Sequence, residues 1–355
     1  MEKNERKSNF ELLRIIAMIS IIMFHYSDHG CSDITYDNAL AINAAFEYFS
    51  RIGGGLGNCV FMIMTGYFMS KSQFKIKKIV KIWSQVFFYS IMSYIVVCIA
   101  GKTVLSGKDL MESLMPITSN HYWYFTAYII ILFLSPGINL AFEELEKRQL
   151  LFMLIGLSWF FSIMPLFGYY QLISDNRVGV MLLLYSLGAY IRKYYEKKQS
   201  DYLWIEVTCG ILLLFLLSGI SIFFDKFEYL KPVFKSRFEF IWGIEKTPII
   251  VLSTILFLVF KNLNIRLNKI INWIAASTFG VYLLHMNKWT TYIIWNDICR
   301  TKEYYKSPVM IIHVLVCVGL IYIVCTGIDK FRMYVIEYPL EKLVDSFLYN
   351  LKYRK

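Results

Sequence analysis

Apolar residues recur along the chain in long runs separated by short polar segments. A helix crossing the hydrocarbon layer needs about 20 mostly apolar residues, because that layer is roughly 30 Å thick and an α-helix rises about 1.5 Å per residue. On that criterion the pattern predicts about ten spans, at residues 11–28, 51–70, 82–100, 121–141, 150–167, 178–192, 202–224, 247–262, 273–290 and 308–328. The expected fold class is all-α, a polytopic integral membrane protein. A transmembrane domain over 1–330 would be followed by a basic tail over 331–355, alternating charged and apolar groups as an amphipathic helix on the inner surface.

Composition agrees. With 57% hydrophobic and 18% charged residues among 355, the chain carries more apolar surface than one soluble core could bury. The net charge of +11 informs mainly through its distribution, which favours orientation over nucleic-acid binding. Basic clusters fall on alternate connections: Lys3, Arg6 and Lys7; Lys71 to Lys81; Lys147 and Arg148; Arg192, Lys193, Lys197 and Lys198; Lys261, Arg266 and Lys269; and Lys330 to Lys355. Opposite connections are mixed or acidic, with Asp28, Asp33, Asp37 and Glu47 in the first and Asp225 and Glu228 in a later one. By the positive-inside rule both ends are cytoplasmic, in an inner or plasma membrane. The seven scattered cysteines suggest neither zinc nor a disulfide scaffold, and no metal is expected; a Cys31–Cys299 bridge is one option, since both fall in outward loops. The first apolar run contains Arg14 and lacks a small-residue cleavage pattern after His25, so it is expected to stay as a helix.

Ionisable groups inside a membrane are costly, which singles out Arg14 and His25. Eleven residues apart, they lie within about 20° of one helix face and roughly 16 Å apart along the axis. Glu11 is placed to pair with Arg14, and His29 sits one turn beyond His25. The plainer alternative has Arg14 snorkelling to lipid phosphates and His25 at the interface. His121, His285 and His313 also fall in the outer half of the predicted topology, so a polar pocket there is expected, with His313 in a structural role. Lys71, Lys75, Lys77, Lys78 and Lys81 serve either for orientation and anionic lipid or as a site for a phosphorylated cytosolic ligand. Gly53, Gly54, Gly55 and Gly57 permit close helix packing or a break in the second span. Tyr122, Trp123, Tyr124 and Phe125 form either an interfacial belt or a stacking platform for a sugar.

Several of these segments together resemble the membrane-bound acyltransferase 3 family. They are Phe10-Glu11-Leu12-Leu13-Arg14 with His25, Phe61 to Phe68 with the basic run after it, and His121-Tyr122-Trp123-Tyr124 followed by Leu134-Ser135-Pro136. The run Ser277 to His285 and the closing Glu337-Tyr338-Pro339 complete the pattern. Glutamate at 11, threonine at 65 and lysines in the basic segment depart from the family's usual aspartate, serine and arginines. The resemblance implies transfer of an acyl group, most often acetyl, from cytosolic acyl-coenzyme A to a hydroxyl of an extracytoplasmic or lipid-linked glycan. Acyl-coenzyme A would be a co-substrate rather than a tightly bound cofactor. His25 and Arg14 would be catalytic, Lys75, Lys77, Lys78 and Lys81 would hold the donor, and Trp123, Tyr124 and His285 would meet the acceptor. The rival reading is a polysaccharide transporter or flippase with no covalent chemistry, although no repeat between halves supports it. A glycan polymerase would be expected to carry a larger outer loop than any here.

Overall fold

The structure, a computed structural model, describes residues 7–31, 39–74, 76–119, 121–167, 177–195, 203–226 and 243–339. Among the described residues it is all-helical, with no strand. Among the described residues, six helices are long and apolar enough to cross a membrane: Ser8–Gly30, Ala41–Met69, Ile76–Ile99, Trp123–Glu144, Leu203–Ile220 and Met310–Glu337. This corrects the expected ten. The other four predicted spans are helical too, but shorter, broken or less apolar. Helix α6 (Lys147–Ser158) widens into a π-helical turn at Trp159–Ile163, α7 spans Arg177–Tyr194, and α9 spans Thr247–Asn262. The ninth predicted span divides into α10 (Lys269–Ala275) and α11 (Thr278–His285). At 16 residues α9 reaches about 24 Å, less than the hydrocarbon thickness.

The remaining helices are α1 (Ser8–His25), α2 (Ala41–Met69), α3 (Ile76–Ile99), α4 (Gly107–Leu114), α5 (Trp123–Glu144), α8 (Leu203–Lys226) and α12 (Met310–Arg332). Helix α2 is the centre of the bundle, buried over 67% of its apolar window, whereas α8 is buried over only 11% and presents its apolar surface outward. Two hydrophobic cores flank this centre. One joins α2, α7 and α9 through residues such as Met62, Leu184 and Phe257; the other joins α1, α5, α11 and α12 through Ile22, Phe125, Leu283 and Val318.

Close approach of α1 and α2 depends on glycine. A Cβ at Gly53 would meet the Ser20 carbonyl oxygen, and one at Gly57 the Ala17 carbonyl oxygen at 2.5 Å. Without a hydrophobic drive between helices in lipid, such backbone proximity supplies the packing energy. Helix α2 passes through these glycines unbroken, so of the two expected roles the packing one holds.

Helix α2 also starts about one helical stretch earlier than expected, at Ala41. Glu47, expected in an outward loop, is instead buried in α2 and ion-paired with Arg51 one turn on. That partner is what permits a carboxylate there. Cys31 and Cys299 are buried and unbridged. At the other end, Phe331 to Pro339 do not begin a separate surface helix: α12 continues into a π-helical turn over Met333–Glu337. Residues 340–355 of the expected tail lie outside the described residues.

Candidate functional site

Helix α1 ends at His25, and the chain continues as a π-helical turn over Tyr26–Gly30. The wider turn sets His29 against His25, with ring centroids 5.4 Å apart and nearly parallel. Helix α11 ends at His285, whose ring also meets His25, with centroids 5.1 Å apart. His25 Nδ1 lies 3.0 Å from His285 Nε2, and His285 Nδ1 lies 2.7 Å from the Val281 carbonyl oxygen. Both imidazoles are buried.

These contacts assign the protons. A carbonyl oxygen only accepts, so His285 Nδ1 carries a hydrogen and donates to Val281. In a neutral His285 the Nε2 lone pair then accepts, and His25 Nδ1 must be the donor to it. The lone pair of the His25 pair is thereby left on Nε2, which makes no hydrogen bond among the described residues. The arrangement is a base whose second nitrogen is oriented by a fixed partner. His285 was expected at the acceptor, but both of its ring nitrogens are engaged by protein, leaving neither for an acceptor hydroxyl.

The end of α11 is held by a polar frame. Tyr122, directly before α5, donates from its hydroxyl to the Leu283 carbonyl, and the Asn287 amide donates to the Tyr122 oxygen at 2.6 Å. Asn287 Oδ1 accepts from the Trp289 N–H, closing a tight turn, and the Thr290 and Thr291 hydroxyls return to the carbonyls of Leu284 and His285. His121 Nε2 accepts from the Lys288 backbone N–H, while the Lys288 ammonium pairs with Glu112 at 2.5 Å. Burial, helped by the nearby Lys288 charge, pushes the His121 imidazole down to about 4, which keeps that acceptor lone pair at neutral pH. His313 sits apart from His25, hydrogen-bonded to the Tyr26 hydroxyl at 2.8 Å and stacked on Tyr304.

Arg14 is partly exposed and lies 3.4 Å from the carboxylate of buried Glu11, the pairing expected from their spacing. Between Arg14 and the histidines runs a column of tyrosines that the sequence reading missed. Tyr128 is within electrostatic reach of Arg14; it stacks on Tyr124 at 6.3 Å, Tyr124 meets Tyr282 at 6.1 Å, and Tyr282 meets His285 edge-on at 6.4 Å. The spacing of Tyr124 and Tyr128, one turn apart, was the available signal. Tyr124, expected to face a sugar, is a member of this internal column. Trp123, at the start of α5, lies beneath the Arg177 guanidinium, 5.0 Å from its ring centre.

The lysine segment opens α3 rather than forming a loop. Lys75 lies outside the described residues, and Lys77 and Lys78 are exposed. Lys78 borders a small cleft of about 40 Å³ that also contains Tyr128. Lys81 is ion-paired with Glu337 at 2.6 Å, and Glu337 also holds Arg332 at 2.6 Å. Arg332 in turn donates to buried Asp329, which accepts from Tyr89 and Gln85. A Cβ at Gly280 would collide with the Asp329 carboxyl, so glycine there lets α11 seat against α12. The closing Glu337-Tyr338-Pro339 thus ties α3 to α12 and, through Asp329, to the helix that carries His285. Among the described residues no three His, Cys, Asp or Glu side chains converge as a metal site.

Residues 7–329 match the acyltransferase 3 family, described as an acyltransferase domain. The chain belongs to this family. The match takes in Arg14, His25, the start of α3, the tyrosine column, His285 and Asp329, while Arg332 and Glu337 lie just beyond it. No curated protein and no solved structure was found to match the chain. The protein is a membrane acyltransferase, with a buried histidine pair joining its first helix to a late, broken one.

Proposed function

We propose that the protein transfers an acyl group, most often acetyl, from cytosolic acyl-coenzyme A to a hydroxyl of an extracytoplasmic or lipid-linked glycan. The observation that carries this reading is the His25–His285–Val281 chain, which presents His25 Nε2 as an unprotonated base fixed by protein on its far side. In the reaction the acceptor oxygen attacks the thioester carbon while its proton passes to His25 Nε2. A C–O bond forms, the C–S bond breaks, and the proton returns from His25 to the departing thiolate. His285 accepts the Nδ1 hydrogen of His25 throughout and steadies the charged imidazole. It is a positioning residue. Direct transfer needs no acyl-histidine, although Nε2 is equally placed to carry one.

Charge orients the reaction. The ends carrying Lys7, Lys78, Arg192 and Lys261 are the basic ones, and the positive-inside rule makes them cytoplasmic. The donor would enter at that end and pass Arg14, its pantetheine arm following the tyrosine column towards His25 and its thioester meeting the acceptor on the opposite side, near Trp123. Lys81, held by Glu337, contributes structure more than phosphate binding. The transporter reading makes a different prediction about covalent chemistry. Mass spectrometry of cell-surface glycans from cells with and without the protein should show ester-linked acyl groups only when the protein is present; identical ester content in both would refute acyl transfer to a surface glycan.

A further inference from the structure

A cavity of about 620 Å³ lies away from the histidines. It lies at the basic end, where the start of α1 meets the last turns of α2, α7 and α9. Lys7, Arg192, Lys193 and Lys261 all line it, and none of its lining residues is a carboxylate. The Lys193 ammonium donates to the Phe142 and Leu145 carbonyls at the rim, and basic side chains gathered round one concavity favour a bound polyanion. From this we infer that the cavity is a binding site for a ligand carrying phosphate groups.

The details fit phosphate in particular. The Arg192 guanidinium is fixed rather than loose: one nitrogen donates to the Tyr67 hydroxyl at 3.0 Å, and its plane lies over the Tyr67 ring at 4.8 Å. Its remaining N–H groups make no hydrogen bond among the described residues, which leaves a planar fork for two phosphate oxygens. Lys261 is only 9% exposed, in the last turn of α9, with its ammonium 4.6 Å over the Tyr195 ring. Helix α1 also begins at this wall with no side chain capping it. Phe10 and Tyr67, with rings 5.6 Å apart, add an apolar wall beside the charges. The volume suits a nucleotide-sized group, whereas the cleft beside Lys78, at about 40 Å³, does not.

Two sources supply this chemistry: the nucleotide phosphates of a soluble donor, and the headgroup of an anionic phospholipid. The first deepens the proposed function and rests on it; the second does not. The experiment uses purified full-length protein, comparing wild type with an Arg192→Gln/Lys193→Gln double variant, Lys261→Gln alone, and Lys77→Gln/Lys78→Gln as the contrast. Arg192 also bonds Tyr67, and Lys193 the Phe142 and Leu145 carbonyls, so the folding of every variant is checked by thermal midpoint and only folded variants are compared. The probes are coenzyme A by titration calorimetry, and phosphatidylglycerol retained from mixed bilayers by native mass spectrometry. Loss of coenzyme A affinity by tenfold or more in the Arg192 and Lys261 variants, with little change in the Lys77/Lys78 variant, identifies the donor as the ligand. Unchanged coenzyme A binding with loss of retained phosphatidylglycerol identifies the lipid, and supports the site equally. Folded Arg192 and Lys261 variants that bind both probes like wild type would overturn the inference. If the site binds a probe as expected but acyl-coenzyme A supports no acyl transfer, the functional reading fails while the phosphate site stands.

Discussion

At the scale of single residues, the account turns on which nitrogen does what. His285 acts through His25 and not on substrate, so replacing it should lower turnover without altering donor binding. His285→Gln keeps an oxygen able to accept from His25 Nδ1–H, whereas His285→Leu does not. The glutamine variant should therefore retain about tenfold or more of the turnover lost in the leucine variant, with equal donor affinity in both. Equal activity of the two folded variants would remove the orienting role. His121 makes a separate prediction about pH. Its imidazole is held at about 4 in the folded protein against an ordinary 6.5, so between those values the unfolded chain binds a proton that the folded one does not. Stability should thus fall as pH drops from about 6.5 towards 4 and level off below. In His121→Gln, which can still accept from Lys288 N–H, the fall in thermal midpoint over that window should be smaller. A slope equal to wild type would show that His121 does not titrate this way.

Among the elements, the pairings that position the histidines are themselves testable. A valine side chain at Gly57 would press on the backbone of Ala17, and overpacking of this kind costs about 1–3 kcal/mol, so Gly57→Val should lower the thermal midpoint and activity together. Lys81 and Glu337 should behave as a structural pair. Lys81→Glu should lower the thermal midpoint by repelling Glu337, whereas Lys81→Arg, which can still pair with Glu337, should keep it near wild type; equal midpoints in the two variants would show that the pair does not support the fold. Much of this level was legible from the residues. The eleven-residue spacing placed Arg14 and His25 on one helix, and the α9 boundaries at Thr247 and Asn262 coincide with those expected from hydropathy. The meeting of His25 with His285, 260 positions away, was not legible, because no local pattern specifies which helices become neighbours. Both histidines were singled out and a polar pocket was expected, but their direct hydrogen bond was not. Glu47 was misplaced because a charged residue reads as loop, while the structure neutralises it with Arg51 from within the same helix. The break between α10 and α11 was hidden by a run that stays apolar through Ala275 and Ala276, since hydropathy measures burial and not helix continuity.

At the scale of the whole molecule, the expected ten spans compare with six helices among the described residues that meet the requirements of length and composition. Helices buried among others, such as α7 and α9, need neither the apolarity nor the length of those facing lipid, and hydropathy alone does not separate the two cases. Orientation is a further claim at this scale. In a background without the native cysteines, Lys302→Cys should react with an impermeant thiol reagent in intact cells and Lys78→Cys only after permeabilisation; the reverse pattern would invert the topology. The central claim, that the bundle holds a histidine base for acyl transfer across the membrane, is tested most directly by one substitution. Ester-linked acyl groups on surface glycans should be measured in cells carrying His25→Gln at wild-type membrane levels and thermal stability. The account predicts a fall of about 10²- to 10⁴-fold in the rate of ester formation, with donor binding retained, because a general base contributes about that much. A stable His25→Gln protein that forms esters at the wild-type rate would contradict it.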